Sequence, residues 1–455
     1  MILVAGLGIS GAGAFDALAR VGAAPAVYDD RDIEKDEPAL HAKIASAGAG
    51  RYLGGRPVPD EAWDYVVLSP GVPPQLPFIE RAKARGAEVI GELELAFRLG
   101  KGMFAAITGT NGKTTTTTLT GEIFKAAGLD AVVTGNIGSS VAEKSVGVDE
   151  DAWLITEVSS FQLETTLRFR PKIAALLNLT PDHMDRHRTM EAYAAAKARI
   201  FANQGPDDVL VYNADDEMVS SLAGGAASRK LPFSRRAALD AGAFVRGGEI
   251  VFADGGGGLI AVAYADELKI PGLHNLENAL AAAAISLAAG IGPDVAGEVL
   301  RGFAGVEHRL EFVCCTGGVR YVNDSKGTNP DAAIKAIEAV GKGIVLIAGG
   351  YDKDADFTEY IRAAKGRVRK LLLLGATAEK IKGCALSEGF AEGDILMVSC
   401  MGEAVRAGAG FAAPGDTVLL SPACASWDMY RDYEERGADF KAQSLLIQDG
   451  GKGAI

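Results

Sequence analysis

The densest chemistry in the sequence lies in Thr108-Gly109-Thr110-Asn111-Gly112-Lys113-Thr114-Thr115, which follows an apolar run over 103–108 and precedes a helix predicted over 116–127. Consecutive backbone N–H groups opening onto a helix N-terminus make a cradle for phosphate oxygens. Lys113 offers a cation to the β- and γ-phosphates of a nucleotide, and the Thr114 hydroxyl offers a ligand to Mg²⁺. Ile107 stands where such loops ordinarily have their first glycine. Glu157 closes a second apolar strand, 153–157, and precedes Val158-Ser159-Ser160; a carboxylate at that strand end is where Mg²⁺ is held. His183, in Asp182-His183-Met184-Asp185-Arg186-His187, reads equally as a metal ligand or as a hydrogen-bonded polar residue. Lys197 sits among alanines in a helical run, 192–201, and by local sequence is a solvated lysine.

A second glycine pattern opens the chain. Gly6, Gly8 and Gly11 follow a strand, and Asp29 ends the next one. This spacing suits a dinucleotide, but the same turn holds any diphosphate with a ribose attached. Glycines needed only for helix–sheet packing produce it as well. An oxidoreductase using nicotinamide there would leave Lys113 and the last third of the chain without a task.

Positioning these groups requires alternating strands and helices. Strands are predicted at 2–5, 23–28, 65–68 and 88–90, with a helix at 12–21. The charged, glycine-bearing stretch Arg98-Leu99-Gly100-Lys101-Gly102 suggests a boundary. The next segment has strands at 103–108, 153–157, 173–177 and 209–212, then an alanine-rich helix at 276–289, and the segment ends near Gly305. Gly255 to Gly258 reads as a hairpin tip or a flexible loop. From Val306 on, strands at 321–323, 343–348, 370–374 and 417–420 alternate with helices. The reading is three α/β units spanning 1–99, 100–305 and 306–455, with mostly parallel sheets and the phosphate loop in the middle one.

Composition narrows the class. The 455 residues carry a net charge of −13, which argues against a nucleic-acid partner, since that needs a dominant basic surface. With 48% apolar and 23% charged residues the chain is globular rather than disordered, and 57 glycines suit tight turns around nucleotides. The five cysteines show no metal or disulfide spacing, which points to reduced thiols and a cytoplasmic location. No basic leader precedes the first apolar run, and 276–290 is too short and polar to span a bilayer, so no membrane insertion is expected.

Taken in order, the loop Thr108–Thr115, Glu157-Val158-Ser159-Ser160, Asp182-His183-Met184-Asp185, Lys197, His274-Asn275-Leu276-Glu277-Asn278, His308-Arg309 and Asp324-Ser325-Lys326-Gly327-Thr328-Asn329-Pro330 resemble the Mur ligases of peptidoglycan synthesis along the entire chain. Ser421-Pro422-Ala423-Cys424-Ala425-Ser426, Gly349-Gly350-Tyr351-Asp352-Lys353 and the early glycine turn resemble the D-glutamate-adding branch. Branches adding L-alanine or a diamino acid, and folylpolyglutamate synthetases, are the alternatives within the family. The resemblance implies a Rossmann-like N-terminal domain, a central P-loop ATPase-like domain and a C-terminal Rossmann-like α/β domain. It implies an ATP-dependent amide ligase that acts through an acyl phosphate on UDP-N-acetylmuramoyl-L-alanine and D-glutamate, and is a monomer.

Residue roles follow by position. ATP would meet Gly109, Thr110, Asn111, Gly112, Lys113, Thr114, Thr115, Asn275, Asn278, Arg309 and Asp324, with Lys326 near the γ-phosphate. Thr114 and Glu157 would hold one Mg²⁺; His183 and Lys197, the latter carbamylated by CO₂, would hold a second. The UDP-substrate would meet Gly8, Ile9, Ser10, Asp29, Asp30, Arg31, Ser69, Pro70, Gly71, Asn136 and Ser159. D-Glutamate would meet Thr328, Lys353, Ser426 and Tyr433, where Tyr433 replaces a phenylalanine of some relatives and Trp427 stands where a smaller aliphatic residue is common. Because ATP contacts come from two domains, the third is expected to close over the nucleotide.

Overall fold

The computed structural model describes residues 1–351 and 354–452. The chain forms two compact units, one made of Met1–Leu179, Glu191–Glu267 and Glu277–Gly302, the other of Thr180–Met190, Leu268–Leu276 and Phe303–Ile455.

The first unit contains two sheets. The smaller has five parallel strands in the order Arg51–Leu53, Ala26–Asp29, Ile2–Ala5, Tyr65–Leu68, Glu88–Gly91. The larger has nine, in the order Leu259–Tyr264, Glu249–Asp254, Ala241–Arg246, Arg229–Ser234, Val209–Asn213, Ile173–Leu176, Met103–Thr108, Trp153–Glu157, Ala131–Gly135. Its strands run parallel except for an antiparallel meander at one edge, where Gly255–Gly258 is the hairpin tip. The inner strands are buried on both faces, which is why Ile173–Leu176 and Trp153-Leu154-Ile155 read as unbroken apolar runs.

The two sheets pack as one body where the chain crosses Arg98–Gly102. Phe97, on the helix Glu92–Leu99, meets Phe104 of the larger sheet and Phe169 of the loop before its strand Ile173–Leu176 in a tilted or edge-on cluster with centroids 5.4–6.2 Å apart. Beside it the buried Glu94 carboxylate accepts the backbone N–H groups of Leu167, Arg168 and Phe169 at 2.8–3.0 Å and pairs with Arg98 at 2.7 Å.

The second unit is built on six strands in the order Glu311–Thr316, Val319–Asn323, Thr417–Leu420, Ile344–Ala348, Val368–Leu373, Ile395–Met397, parallel but for the first pair. Ile344, Val345, Leu346, Ile347 and Ala348 are all fully buried, so cutting one of the larger of these side chains to Ala costs about 2–5 kcal/mol. Among the described residues no helix is long and apolar enough to cross a membrane.

Two helix starts differ from expectation. The first helix is Ile9–Arg20, with Gly8 as its cap, so Ile9 and Ser10 form the helix's first turn instead of preceding it. The second is Lys113–Ala126, which puts Lys113, Thr114 and Thr115 in the first turn. In both cases glycine supplies the helix cap, and no side-chain cap marks the start in sequence.

Candidate functional site

The phosphate loop leaves Met103–Thr108, whose neighbours are Trp153–Glu157 on one side and Ile173–Leu176 on the other. Parallel strands whose connections diverge this way leave a crevice at their carboxyl ends. Gly112 caps the helix at φ +83°, a left-handed conformation, and a Cβ there would lie 2.2 Å from Asn278 Oδ1. Only glycine meets both demands. The loop is pinned from beside it: Asn111 N–H donates to Asn178 Oδ1 at 2.8 Å, Asn178 Nδ2 donates to the Asn111 carbonyl at 3.0 Å, and Thr110 N–H donates to the Asn178 carbonyl at 2.9 Å.

Around this cradle the expected groups of the first unit come together. The Thr114 hydroxyl donates to Glu157 Oε2 at 2.8 Å, and Asn136 Nδ2 donates to Glu157 Oε1 at 3.0 Å. Lys113 Nζ folds back onto the carbonyls of Gly109 and Thr110 at 3.0 and 2.8 Å. Lys197 corrects its reading from local sequence. It is 2% exposed, with Nζ 2.7 Å from the Gly109 carbonyl and 4.8 Å from the centre of the Tyr193 ring. Thr115 is buried in the same first turn. Ser159 caps the helix after Glu157 through a reciprocal pair with Gln162. Asn278, on the helix Leu273–Ala288, accepts from the Thr116 hydroxyl at 3.3 Å. A hydroxyl and a carboxylate in contact at a helix N-terminus are hard oxygen donors of the kind Mg²⁺ selects.

The glycine turn of the first unit is held rigidly. Asp29 is buried; its carboxylate accepts Leu7 N–H at 2.6 Å and Arg31 N–H at 2.9 Å and pairs with the Arg31 guanidinium at 3.1 Å. Burial would raise its pKa, but the bonds from Arg31 and Leu7 outweigh that and hold it below its ordinary value. Asp29 and Arg31 thus shape the turn. Ser69 Oγ donates to the Gly6 carbonyl at 2.8 Å, and a Cβ on Gly11 would lie 1.7 Å from that carbonyl oxygen. Gly8 and Ile9 are exposed at the turn's surface, Asp30 takes the Tyr28 hydroxyl, and Pro70-Gly71 follow Ser69 beside the turn.

The second unit gathers the remaining residues. Asp324 is fully buried, accepts Ser421 Oγ at 2.8 Å and lies 3.7 Å from Arg309. Burial pushes its pKa up to about 6 against the pull of Arg309 and Ser421. Lys326 Nζ donates to the Tyr433 hydroxyl at 2.8 Å. Asn275, on the turn of the helix before Asn278, donates to the Pro271 carbonyl at 2.7 Å. His183 caps the short helix Met184–His187 at φ +55° and lies 3.7 Å from Asp182, which also accepts Asn329 Nδ2 at 3.2 Å. His183 and Thr328 line one cavity of about 460 Å³ with Tyr351 and Cys424. Ser426 is buried, two residues along the chain from that cavity's Cys424. Lys353 lies outside the described residues.

Sequence reasoning missed three residues. Asn178 and Tyr193, the latter 3.2 Å from the Thr110 hydroxyl, brace the phosphate loop. Arg436 is 3% exposed, and its guanidinium donates to Ser325 Oγ and carbonyl and to the carbonyls of Cys424 and Ala425 at 2.8–3.1 Å. One fork therefore ties the Asp324–Thr328 loop to the Ser421–Ser426 loop, and burial pushes its pKa down to about 10. The signal available in sequence was only an arginine beside a glycine in a charged helix start.

Comparison with known proteins matches the chain in three stretches: residues 1–91 to the MurD-like N-terminal domain of Mur ligases, 107–286 to the Mur ligase middle domain, and 308–424 to the Mur ligase glutamate ligase domain. A UDP-N-acetylmuramoylalanine–D-glutamate ligase of Pelotomaculum thermopropionicum is 50% identical over 450 residues, covering 99% of this chain and 98% of that protein. The protein of the same name from Clostridioides difficile is 47% identical over 97% of each. Among solved structures, the UDP-N-acetylmuramate–alanine ligase MurC of Thermotoga maritima superposes with a TM-score of 0.61 at 19% identity, covering 100% of this chain and 99% of that one. The MurF ligase of Thermotoga maritima in complex with ADP gives 0.57 at 16% identity, over 87% and 97%. At such identities these structures establish the shared fold.

Proposed function

The chain belongs to the Mur ligase family, and from that premise we infer that it is the ATP-dependent ligase that adds D-glutamate to UDP-N-acetylmuramoyl-L-alanine. End-to-end identity of 50% with a ligase of that name carries the reading, because it spans the phosphate loop and the amino-acid loops alike.

The reaction explains the residue types. A free carboxylate is a poor electrophile, so the γ-phosphoryl of ATP moves to the acceptor's L-alanyl carboxylate, giving an acyl phosphate and ADP. The D-glutamate amine attacks the acyl carbon and loses its proton, and the tetrahedral adduct expels phosphate to leave the amide. Two anions must meet in the first step, and Lys113 offsets their repulsion from the helix N-terminus. Thr114 and Glu157 would hold one Mg²⁺, with His183 and a carbamate on Lys197 at a second. Such an ion, when bound, neutralises charge between triphosphate and carboxylate. A carbamate would replace the buried Lys197 cation with the hard anionic oxygens Mg²⁺ prefers.

Residues 1–99 then serve the UDP-substrate, 100–305 ATP and 306–455 D-glutamate. Gly8, Ile9, Ser10, Asp30, Ser69-Pro70-Gly71, Asn136 and Ser159 face the acceptor; Asp29 and Arg31 shape the turn it meets. Thr328, Lys353, Ser426 and Tyr433 take the amino acid. The test is a coupled phosphate-release assay offering D-glutamate, L-alanine, L-lysine and meso-diaminopimelate, each with its matching UDP-muramoyl acceptor. Phosphate is expected only with D-glutamate and UDP-N-acetylmuramoyl-L-alanine. Release with another pair alone would move the chain to a sister branch.

A further inference from the structure

Glu92 is a carboxylate that packing alone does not account for. It opens the helix Glu92–Leu99 just past the strand Glu88–Gly91 of the smaller sheet, and it is 2% exposed. Oε1 accepts the Ser140 hydroxyl at 2.6 Å and Ala142 N–H at 2.7 Å. Oε2 has no hydrogen-bond partner among the described residues. Burial raises its pKa despite those bonds. A buried carboxyl with one bare oxygen costs free energy that an apolar side chain of similar volume avoids.

What Glu92 touches connects both ends of the acceptor site. Ser140 caps the helix Val141–Ser145. Against Ser140 runs the glycine-turn helix, so close that a Cβ on Gly13 would lie 2.0 Å from the Ser140 hydroxyl. In the other direction, the loop running back from Ser140 is closed by the Ser139 carbonyl, which accepts Thr134 Oγ1 at 2.7 Å and Gly135 N–H at 3.2 Å. The same loop carries Asn136, bonded to Glu157 at 3.0 Å. Glu92 thus anchors one end of the loop that lies between the diphosphate-type turn and the Mg²⁺-type carboxylate, and Thr134, Gly135 and Glu157 hold the other.

We propose that Glu92 is a positioning residue for the ligase reaction: through Ser140 and Ala142 it sets the Asn136–Ser140 loop, and so sets where the carboxylate of a substrate anchored at the glycine turn comes to rest beside Glu157. The proposal rests on the ligase reading above. Its energetic logic is that a reacting group misplaced by about 1 Å costs up to roughly a hundredfold in rate, which outweighs the modest cost of one bare oxygen.

The test compares Glu92→Met, Glu92→Gln and Ser140→Ala in the full chain, measuring KM for the UDP-acceptor, KM for ATP, kcat and the melting temperature. Glu92→Met is expected to lower kcat and raise the acceptor KM, together costing up to roughly a hundredfold in kcat/KM for the acceptor, while the ATP KM stays within about twofold. Glu92→Gln keeps an accepting oxygen for Ser140 and Ala142 and is expected to restore the acceptor KM. Ser140→Ala, the milder change, moves it the same way as Glu92→Met. A lowered melting temperature with both KM values unmoved, or equal rises in both, overturns the proposal. If Glu92→Met does not fold, an unchanged acceptor KM in Ser140→Ala overturns it. A wild-type chain inert with acceptor and D-glutamate sinks the ligase reading and this inference together; an active wild type with indifferent variants sinks the inference alone.

Discussion

At the scale of single residues, burial decides the chemistry. Lys197 is enclosed between the Gly109 carbonyl and Tyr193, with its ammonium bonded to that carbonyl. Lys197→Ala is expected to lower turnover by roughly a hundredfold or more, the scale of losing an oriented charge in a water-poor site. If Lys197 acts as a carbamate, short carboxylic acids added to the variant are expected to restore part of it. Full activity in the untreated variant would show that no carbamate is needed. Asp324 supplies a pH signature. Its pKa rises from an ordinary 3.8 to about 6 because it is fully buried, so the folded state holds its proton more tightly than the unfolded chain does. The cost of burying the ionised form is therefore absent below about pH 4, grows between about pH 4 and about pH 6, and is full above that window. A rise of that size corresponds to about 3 kcal/mol. Denaturant titrations of the wild type and Asp324→Asn should show the wild type losing about that much relative to the variant between about pH 4 and about pH 7. A difference that does not change with pH would mean the carboxyl ionises freely in the fold.

At the scale of elements, the head of the helix Lys113–Ala126 is the decisive piece. Its cap must be left-handed and must pass against Asn278. Gly112→Ala should cost about 1–2 kcal/mol for the left-handed backbone alone, and more for displacing Asn278. Measured by ATP binding, its affinity should fall well below that of wild type. Pairing it with Asn278→Ala should relieve the steric part of the stability loss and leave the backbone part, as read by denaturant titration without nucleotide. An alanine variant with unaltered ATP affinity would mean that the loop's conformation is not what holds the phosphates. The Asn111–Asn178 exchange of amide bonds braces the same loop from a neighbouring strand end, a role only strand adjacency reveals.

At the scale of the whole molecule, the first unit joins two sheets through Glu94, the phenylalanine cluster and Ser140, so its glycine turn and its phosphate loop belong to one body. The nicotinamide alternative is testable at this scale. Ligands that bind only the folded state stabilise it by mass action, by about 2.7 kcal/mol at a hundredfold excess over Kd. ADP with Mg²⁺ should raise the melting temperature of the full chain, and NADH at equal concentration should leave it in place. The reverse pattern would revive the oxidoreductase.

The α/β alternation, the phosphate loop, Glu157 and the glycine turn were legible in sequence, because each is a local device: a strand, a tight turn and a helix start must be adjacent in the chain to work at all. At Gly255–Gly258 the sequence left a hairpin tip and a flexible loop open, and the antiparallel pairing of the flanking strands decides for the hairpin. The burial of Lys197 and Asp324 was not legible, since nothing in an alanine-rich run or a strand end tells whether a charge faces water; burial is conferred by the elements that fold over it. Asn178, Tyr193, Arg436 and Glu92 were hidden more deeply. Their partners lie far away in sequence, and hydrogen bonds across such separations exist only once the sheets have fixed which strand ends are neighbours. Local composition therefore determined what chemistry the chain can do, while long-range packing alone decided which side chains hold that chemistry in place.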